Sequence, residues 1–199
     1  MLDKIFEFPN PRVTQEFGER PSVYKQFGLK GHNGIDFTHP QREKTVGTPV
    51  YSVSEGKASV VNQGSKGYGL YVRITNDKHE FTYAHLSKAF VGNGANVKVG
   101  DKLGDMGNTG FSSGPHLHFG IREVENGKIK NYDNGYKGAI DPRIIEQREK
   151  EEAQKNGLPF KESRQWALDL GLCNDSNWSN TMSKDEIMIV LQRLVKKIT

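Results

Sequence analysis

The stretch Gly114-Pro-His116-Leu-His118-Phe-Gly-Ile-Arg122 opens on a turn and continues as a strand. Gly-Pro punctuates the chain, and the residues after it alternate in polarity with the period of two that a half-buried strand requires. On such a strand, residues two apart share a face at a spacing of about 6.6 Å. His116 and His118 therefore project to one side, while Leu117 and Phe119 face a core. Two imidazoles so placed can serve one metal, both as ligands, or one as ligand and one facing an open coordination position.

The same grammar of turn and strand recurs upstream. Residues 48–53, 57–61, 70–74 and 80–84 are short runs with β-branched or aromatic alternation. Between them stand Glu55-Gly56, Gln63-Gly64, Gly67-Tyr68-Gly69 and Asn76-Asp77. Of 22 glycines in 199 residues, all but Gly157 and Gly171 precede residue 146. Several short strands at this spacing predict a mainly β fold, an antiparallel β-sandwich or open barrel.

The composition changes at Asp141-Pro142, an N-cap followed by proline at the first helical position. A charged helix is predicted over residues 143–156, ended by Gly157. Its apolar content is thin, so it reads as a solvated linker. A short helix over 162–170 follows, and then the capping box Ser183-x-x-Glu186, which starts an amphipathic helix carrying Ile187, Val190, Leu191, Leu194, Val195 and Ile198. The expected organisation is a β domain at 1–140, a linker helix at 141–157 and a small helical module at 158–199.

Composition narrows the function. Leu, Ile, Val and Phe make up 47 of 199 residues, enough for a packed core. The longest apolar run, Ile187 to Leu191, is far short of the ~20 residues of a membrane span, so no membrane insertion is expected. The single cysteine, Cys173, excludes an internal disulfide framework and a cysteine-rich zinc finger. The first residues lack a basic segment followed by an apolar one, so no secretory signal peptide is expected. The net charge of +4 falls entirely in residues 1–145. It suits an anionic polymer, but no Lys/Arg cluster with interleaved aromatics points to nucleic acid. A monomer is expected.

The remaining histidines enlarge the candidate site. In Gly31-His32-Asn-Gly34-Ile-Asp36, a straight strand would hold His32 and Asp36 about 13 Å apart. A turn or bulge at Asn33-Gly34 is needed to bring them to one point, and the glycine permits it. Tyr83-Ala-His85 ends a strand and offers one more imidazole, whereas His39 and His79 read as ordinary surface or satisfied residues. Two histidines and one carboxylate with a fourth position left for water is the composition of a catalytic zinc site. Spare imidazoles beside it could deprotonate that water, stabilise an oxyanion or protonate a leaving amine.

These residues together resemble a family. Gly31-His32-x-Gly34-x-Asp36-Phe37, Tyr83-Ala-His85-Leu-Ser87 and Gly107-Asn-Thr-Gly-Phe-Ser-Ser-Gly-Pro-His116-Leu-His118-Phe are similar to the motifs of the M23 peptidases, the lysostaphin and LytM type of peptidoglycan endopeptidase. The likeness runs in order over about residues 9–125, including Pro11-Arg-Val-Thr-Gln-Glu-Phe-Gly18 and Gly47-Thr-Pro-Val-Tyr-Ser-Val-Ser-Glu-Gly56. It implies a LytM-like β fold and zinc (Zn2+) held by His32, Asp36 and His118. His85 and His116 would be the catalytic imidazoles, and bacterial peptidoglycan the substrate. The alternative is a non-catalytic, zinc-stabilised wall-binding or virion assembly domain, which the complete five-residue set disfavours. The stretch from Phe17 to His32 resembles M23 domains of phage lysins and tail proteins. That implies a bacteriophage endolysin reaching the wall from the host cytoplasm through a holin, or a virion-associated lysin. Trp166-Ala-Leu-Asp-Leu-Gly171 and Met182-Ser-Lys-Asp-Glu-Ile187 resemble the end of helical modules related to S-layer-homology repeats.

Overall fold

A computed structural model describes residues 1–156 of the chain. The helices expected beyond Asn156 and the module at 158–199 lie outside the described residues. Twelve strands occur in order: β1 (Arg12–Gln15), β2 (Ile35–Thr38), β3 (Pro49–Tyr51), β4 (Gly56–Asn62), β5 (Leu70–Thr75), β6 (His79–Ala84), β7 (Leu86–Ala89), β8 (Asn96–Val97), β9 (Lys102–Met106), β10 (Leu117–Glu125), β11 (Lys128–Ile129) and β12 (Ala139–Ile140). One short helix, α1 (Pro21–Tyr24), precedes β2, and α2 (Pro142–Asn156) follows β12.

All pairings are antiparallel. The large sheet runs β1-β2-β10-β6-β5-β4-β8, with β11 and β12 pairing the far half of β10, and a second sheet runs β3-β9-β7. The mainly β, antiparallel reading therefore holds. The predicted strand at 48–53 contracts to Pro49–Tyr51, because the Ser52 hydroxyl turns back to the Ser54 carbonyl at 2.6 Å.

Register divides the large sheet into two faces. Phe119 lies opposite Tyr83, which lies opposite Val72, and Ile121, Phe81 and Ile74 form the next such row. These six side chains are buried with Leu86, Leu103 and Met106 of the small sheet. Each large apolar side chain so removed from water contributes about 1.5–3 kcal/mol. On the opposite face, Asp36, His118 and Ala84 form one row, and Gly120, Thr82 and Arg73 the next. One face thus builds the core and the other the floor of a cleft.

The start of α2 differs from the solvated linker that its composition suggested. Asp141 Oδ1 accepts from the Arg143 amide at 3.0 Å, capping the helix as expected. Ile145, however, is 3% exposed and belongs to the main core cluster. Beside it, Glu146 Oε1 accepts from the Met1 amine and the Leu2 amide, each at 3.0 Å, so the first turn is tied to the β unit by contacts that average composition does not register. One compact unit runs from Met1 to Glu146.

Candidate metal centre

The three expected ligands reach the site by two devices, a clamped bend and a cross-strand pair. His32 sits in a bend whose backbone is clamped to the segment before it. Its amide donates to the Glu19 carbonyl at 2.9 Å, and its own carbonyl accepts from Gly18 at 2.8 Å. Its Nδ1–H donates to the Glu16 carbonyl at 3.0 Å, which leaves Nε2 as a bare lone pair. Asp36 on β2 stands directly opposite His118 on β10.

The three donor atoms meet in a tight triangle. His32 Nε2 lies 2.8 Å from His118 Nδ1 and 3.0 Å from Asp36 Oδ1, and His118 Nδ1 lies 3.1 Å from that same oxygen. All three side chains are buried. With His32 Nε2 unprotonated, a lone pair faces a carboxylate oxygen with no proton between them. A cation at their centre resolves that repulsion, and two imidazoles with one carboxylate are a zinc donor set. His118 Nε2, on the far side of the ring, is buried without a hydrogen-bond partner.

The environment fixes the charge states. Burial alone would raise the Asp36 carboxyl, but the hydrogen bond from His118, with the His32 ring beside it, overcomes that and holds the group far below the usual carboxylate range. Burial lowers His118 to about 4 in spite of the opposing hydrogen bond to Asp36. Both effects favour the deprotonated forms that a metal binds.

The glycine between the ligands acts differently from the expectation. Gly34 does not adopt a left-handed conformation. A Cβ placed there would lie 2.5 Å from the Phe119 carbonyl oxygen and 2.6 Å from His118 Cε1. Gly34 is therefore required because β10 and the His118 ring pass directly over it. Gly114 likewise has an ordinary φ and open space where its Cβ would be, so it does not constrain the turn before His116.

The other two imidazoles lie beside the triangle, each tied by one ring nitrogen to a backbone carbonyl. His85 takes φ 63°, a left-handed backbone rare for a side chain of this size, and its amide donates to the Tyr68 carbonyl at 3.0 Å. Its Nδ1–H donates to the Thr109 carbonyl at 2.6 Å. The Thr109 hydroxyl in turn donates to the Leu86 carbonyl at 2.9 Å, tying the loop before β10 to the start of β7. His116 repeats the device, with Nδ1–H donating to the Gly114 carbonyl at 2.7 Å. Its Nε2 lies 3.5 Å from Asp36 Oδ2, and the two rings are 4.5 Å apart. Burial, and then the charges of His116 and His118, push His85 down to about 3. His116 thus presents Nε2 to the triangle, on the side that the His-x-His alternation implied, and the His85 ring stands 6.1 Å from that of His118.

Two tyrosines that the sequence did not single out complete the site. Tyr24 accepts from Gln15 Nε2 at 2.6 Å, with its ring 5.2 Å from that of His32. Burial, and then the Asp36 charge, push the phenol up to about 12, so it keeps its proton and can donate it. Tyr68 accepts from Asn33 Nδ2 at 2.6 Å and lies 5.1 Å from the His118 ring. A tyrosine between two glycines, Gly67 and Gly69, is the one sequence signal that could have marked it. The cleft above has a volume of about 630 Å³ and an apolar wall that includes Val23, Phe27, Leu29 and Phe111. His39 lies apart from it, its ring 4.3 Å from that of Phe8.

Comparison with known proteins agrees with this geometry. The family model described as peptidase family M23 matches residues 30–133. The peptidoglycan DD-endopeptidase ShyA of Vibrio cholerae is 42% identical over 109 residues, which cover 54% of this chain and 24% of ShyA. The glycyl-glycine endopeptidase ALE-1 of Staphylococcus capitis is 43% identical over 98 residues, 46% of this chain and 25% of ALE-1. The chain thus spans about a quarter of either relative. Among solved structures, the catalytic domain of the prophage-encoded M23 protein EnpA of Enterococcus faecalis aligns with a TM-score of 0.50 and 30% identity, covering 67% of this chain and 98% of that one.

Proposed function

The chain belongs to peptidase family M23, and from that premise we propose that it is a zinc-dependent endopeptidase cutting the peptide stems or cross-bridges of bacterial peptidoglycan. The observation that carries this reading is the pairing of a buried His32–Asp36–His118 donor triangle with two imidazoles, each tied by Nδ1–H to a backbone carbonyl. ShyA and ALE-1, both endopeptidases by name, support it.

His32, Asp36 and His118 would hold the metal. Bound zinc lowers the pKa of its water to about 7 and polarises a carbonyl. The protein supplies the proton traffic. His85 and His116, fixed in the tautomer with Nε2 free, accept a proton there and return it to the leaving amine. The Tyr24 hydroxyl, kept protonated and already bonded through its oxygen to Gln15, offers its hydrogen where negative charge develops on the substrate. The apolar wall at Phe27 and Phe111, with rings 5.1 Å apart, excludes water from one side of the peptide. The enzyme acts as a monomer, one cleft per chain.

The same proposal extends to origin. The stretch from Phe17 to His32 and the prophage-encoded EnpA both support a phage lysin, delivered to the wall from the host cytoplasm or carried on the virion.

Purified walls and zinc analysis test the reading together. The protein should release free amino groups from peptidoglycan, lose that activity to a chelator and regain it with zinc. His118→Ala should lose both zinc and activity. His116→Ala should keep its zinc and lose at least about a hundredfold in turnover. A His116→Ala variant that clears walls at the wild-type rate would overturn the assignment.

A further inference from the structure

The floor of the cleft carries a charge imbalance outside the metal centre. Arg122 on β10 lies directly across from Glu80 on β6, and its Nη2 binds Glu80 Oε1. Arg73 on β5 brings Nε to 3.6 Å from that same oxygen. Two guanidiniums therefore share one carboxylate, and one positive charge stays uncompensated. Arg73 Nε is buried and has no hydrogen-bond partner. The side chains of Arg73 and Arg122 are only 28% and 18% exposed, yet both line the cleft. A partly desolvated guanidinium with spare donors binds an incoming carboxylate more strongly than an exposed one does.

Position relates this pair to the reaction. His118, Gly120 and Arg122 occupy one face of β10, so Arg122 lies about 13 Å along the strand from the metal ligand, at most about four residues of extended peptide. The place between them is Gly120, where a Cβ would stand 3.2 Å from the Asn33 carbonyl oxygen, and the Asn33 amide is bonded to the Tyr68 hydroxyl at 2.6 Å, so this bridge lies between the metal ligand and the pair. Arg20 and Lys137 add two more cations to the lining. Its one carboxylate among the described residues is Asp36, committed to the donor triangle.

We infer that Arg73 and Arg122 form a carboxylate-binding subsite that selects peptides bearing free carboxylates near the scissile bond over uncharged bridges. The inference rests on the endopeptidase reading above and deepens it. ALE-1 is named for glycyl-glycine bonds, and a bridge built of glycine alone has no side-chain carboxylate to offer this pair. Anionic stem cross-links do.

Three soluble probes test it on the full chain: a cross-linked stem-peptide dimer with free carboxylates, the same dimer amidated, and pentaglycine capped as its N-acetyl amide. The wild type should cut the free-carboxylate dimer with kcat/KM about tenfold above the amidated one, through KM, as loss of one charge-assisted hydrogen bond predicts. Arg122→Gln should bring that ratio close to one. Glu80→Gln removes the competing internal carboxylate and should raise the ratio above wild type, whereas a merely structural triad would lose turnover on every probe alike. Equal kcat/KM for the two dimers, a lowered ratio in Glu80→Gln, or cleavage of pentaglycine alone would overturn the subsite and leave the endopeptidase reading standing. No cleavage of any probe would overturn that reading, and the subsite with it.

Discussion

At the scale of the residue, His85 shows how a site can impose a protonation state through burial and backbone shape together. Its ordinary value of 6.5 falls to about 3 in the folded protein, chiefly by burial. Between those values the unfolded chain binds a proton that the folded protein refuses, so stability falls as pH drops from about 6.5 towards 3. The effect belongs to the acid side and vanishes above neutrality. His85→Asn tolerates the left-handed backbone and removes the titration. In metal-free protein, urea unfolding at pH 7 and pH 4.5 should show wild type losing on the order of 2 kcal/mol more than the variant. Identical pH slopes would show that His85 is not the group responsible. That the five candidate residues would lie together was legible because histidine is scarce here, six in 199, and four sit beside glycine turns or strand ends. Tyr24 and Tyr68 were not legible, since an aromatic residue gains its role only from a partner, Gln15 or Asn33, that folding brings to it.

At the scale of the element, close approach between β2 and β10 decides which glycines matter. The absent Cβ of Gly34 is the space through which a backbone carbonyl and a ligand ring pass, and neither can retreat cheaply. Gly34→Ala should cost about 2 kcal/mol or more of stability and weaken zinc binding over tenfold, because relief means displacing His118. Gly114→Ala, with open space and an ordinary φ, should stay within about 0.5 kcal/mol of wild type. Zinc titration and denaturation of the two variants side by side check the contrast. Wild-type zinc affinity in Gly34→Ala would refute it. The strands themselves were readable from alternation: those expected at 57–61, 70–74 and 80–84 form within a residue at either end, and the one at 48–53 contracts to Pro49–Tyr51. The reason for Gly34 was not, since the clash involves a ring 84 positions away in sequence. The burial of Ile145 escaped for the same cause: its hydrophobic neighbours come from the β unit, not from its own helix.

At the scale of the whole molecule, the metal centre doubles as a cross-link through the middle of the large sheet. Its ligands are separated by 82 and 86 positions along the chain, and β10 is bonded on both sides, to β2 and to β6. Releasing His118 from Asp36 therefore means opening an interior strand of the sheet and not merely fraying an edge. A metal that binds only this folded arrangement adds its binding free energy to global stability, about 4 kcal/mol at a thousandfold excess over Kd. For a chain of this size that corresponds to a rise in Tm of roughly 10 °C. Calorimetry of the full chain with a chelator and then with excess zinc should show that rise. Asp36→Asn, which keeps the side-chain volume but removes the carboxylate, should unfold at nearly the same temperature in both. An unchanged Tm in the wild type would mean that the triangle does not hold zinc in the folded state. A rise that survives in Asp36→Asn would place the stabilising metal elsewhere in the chain.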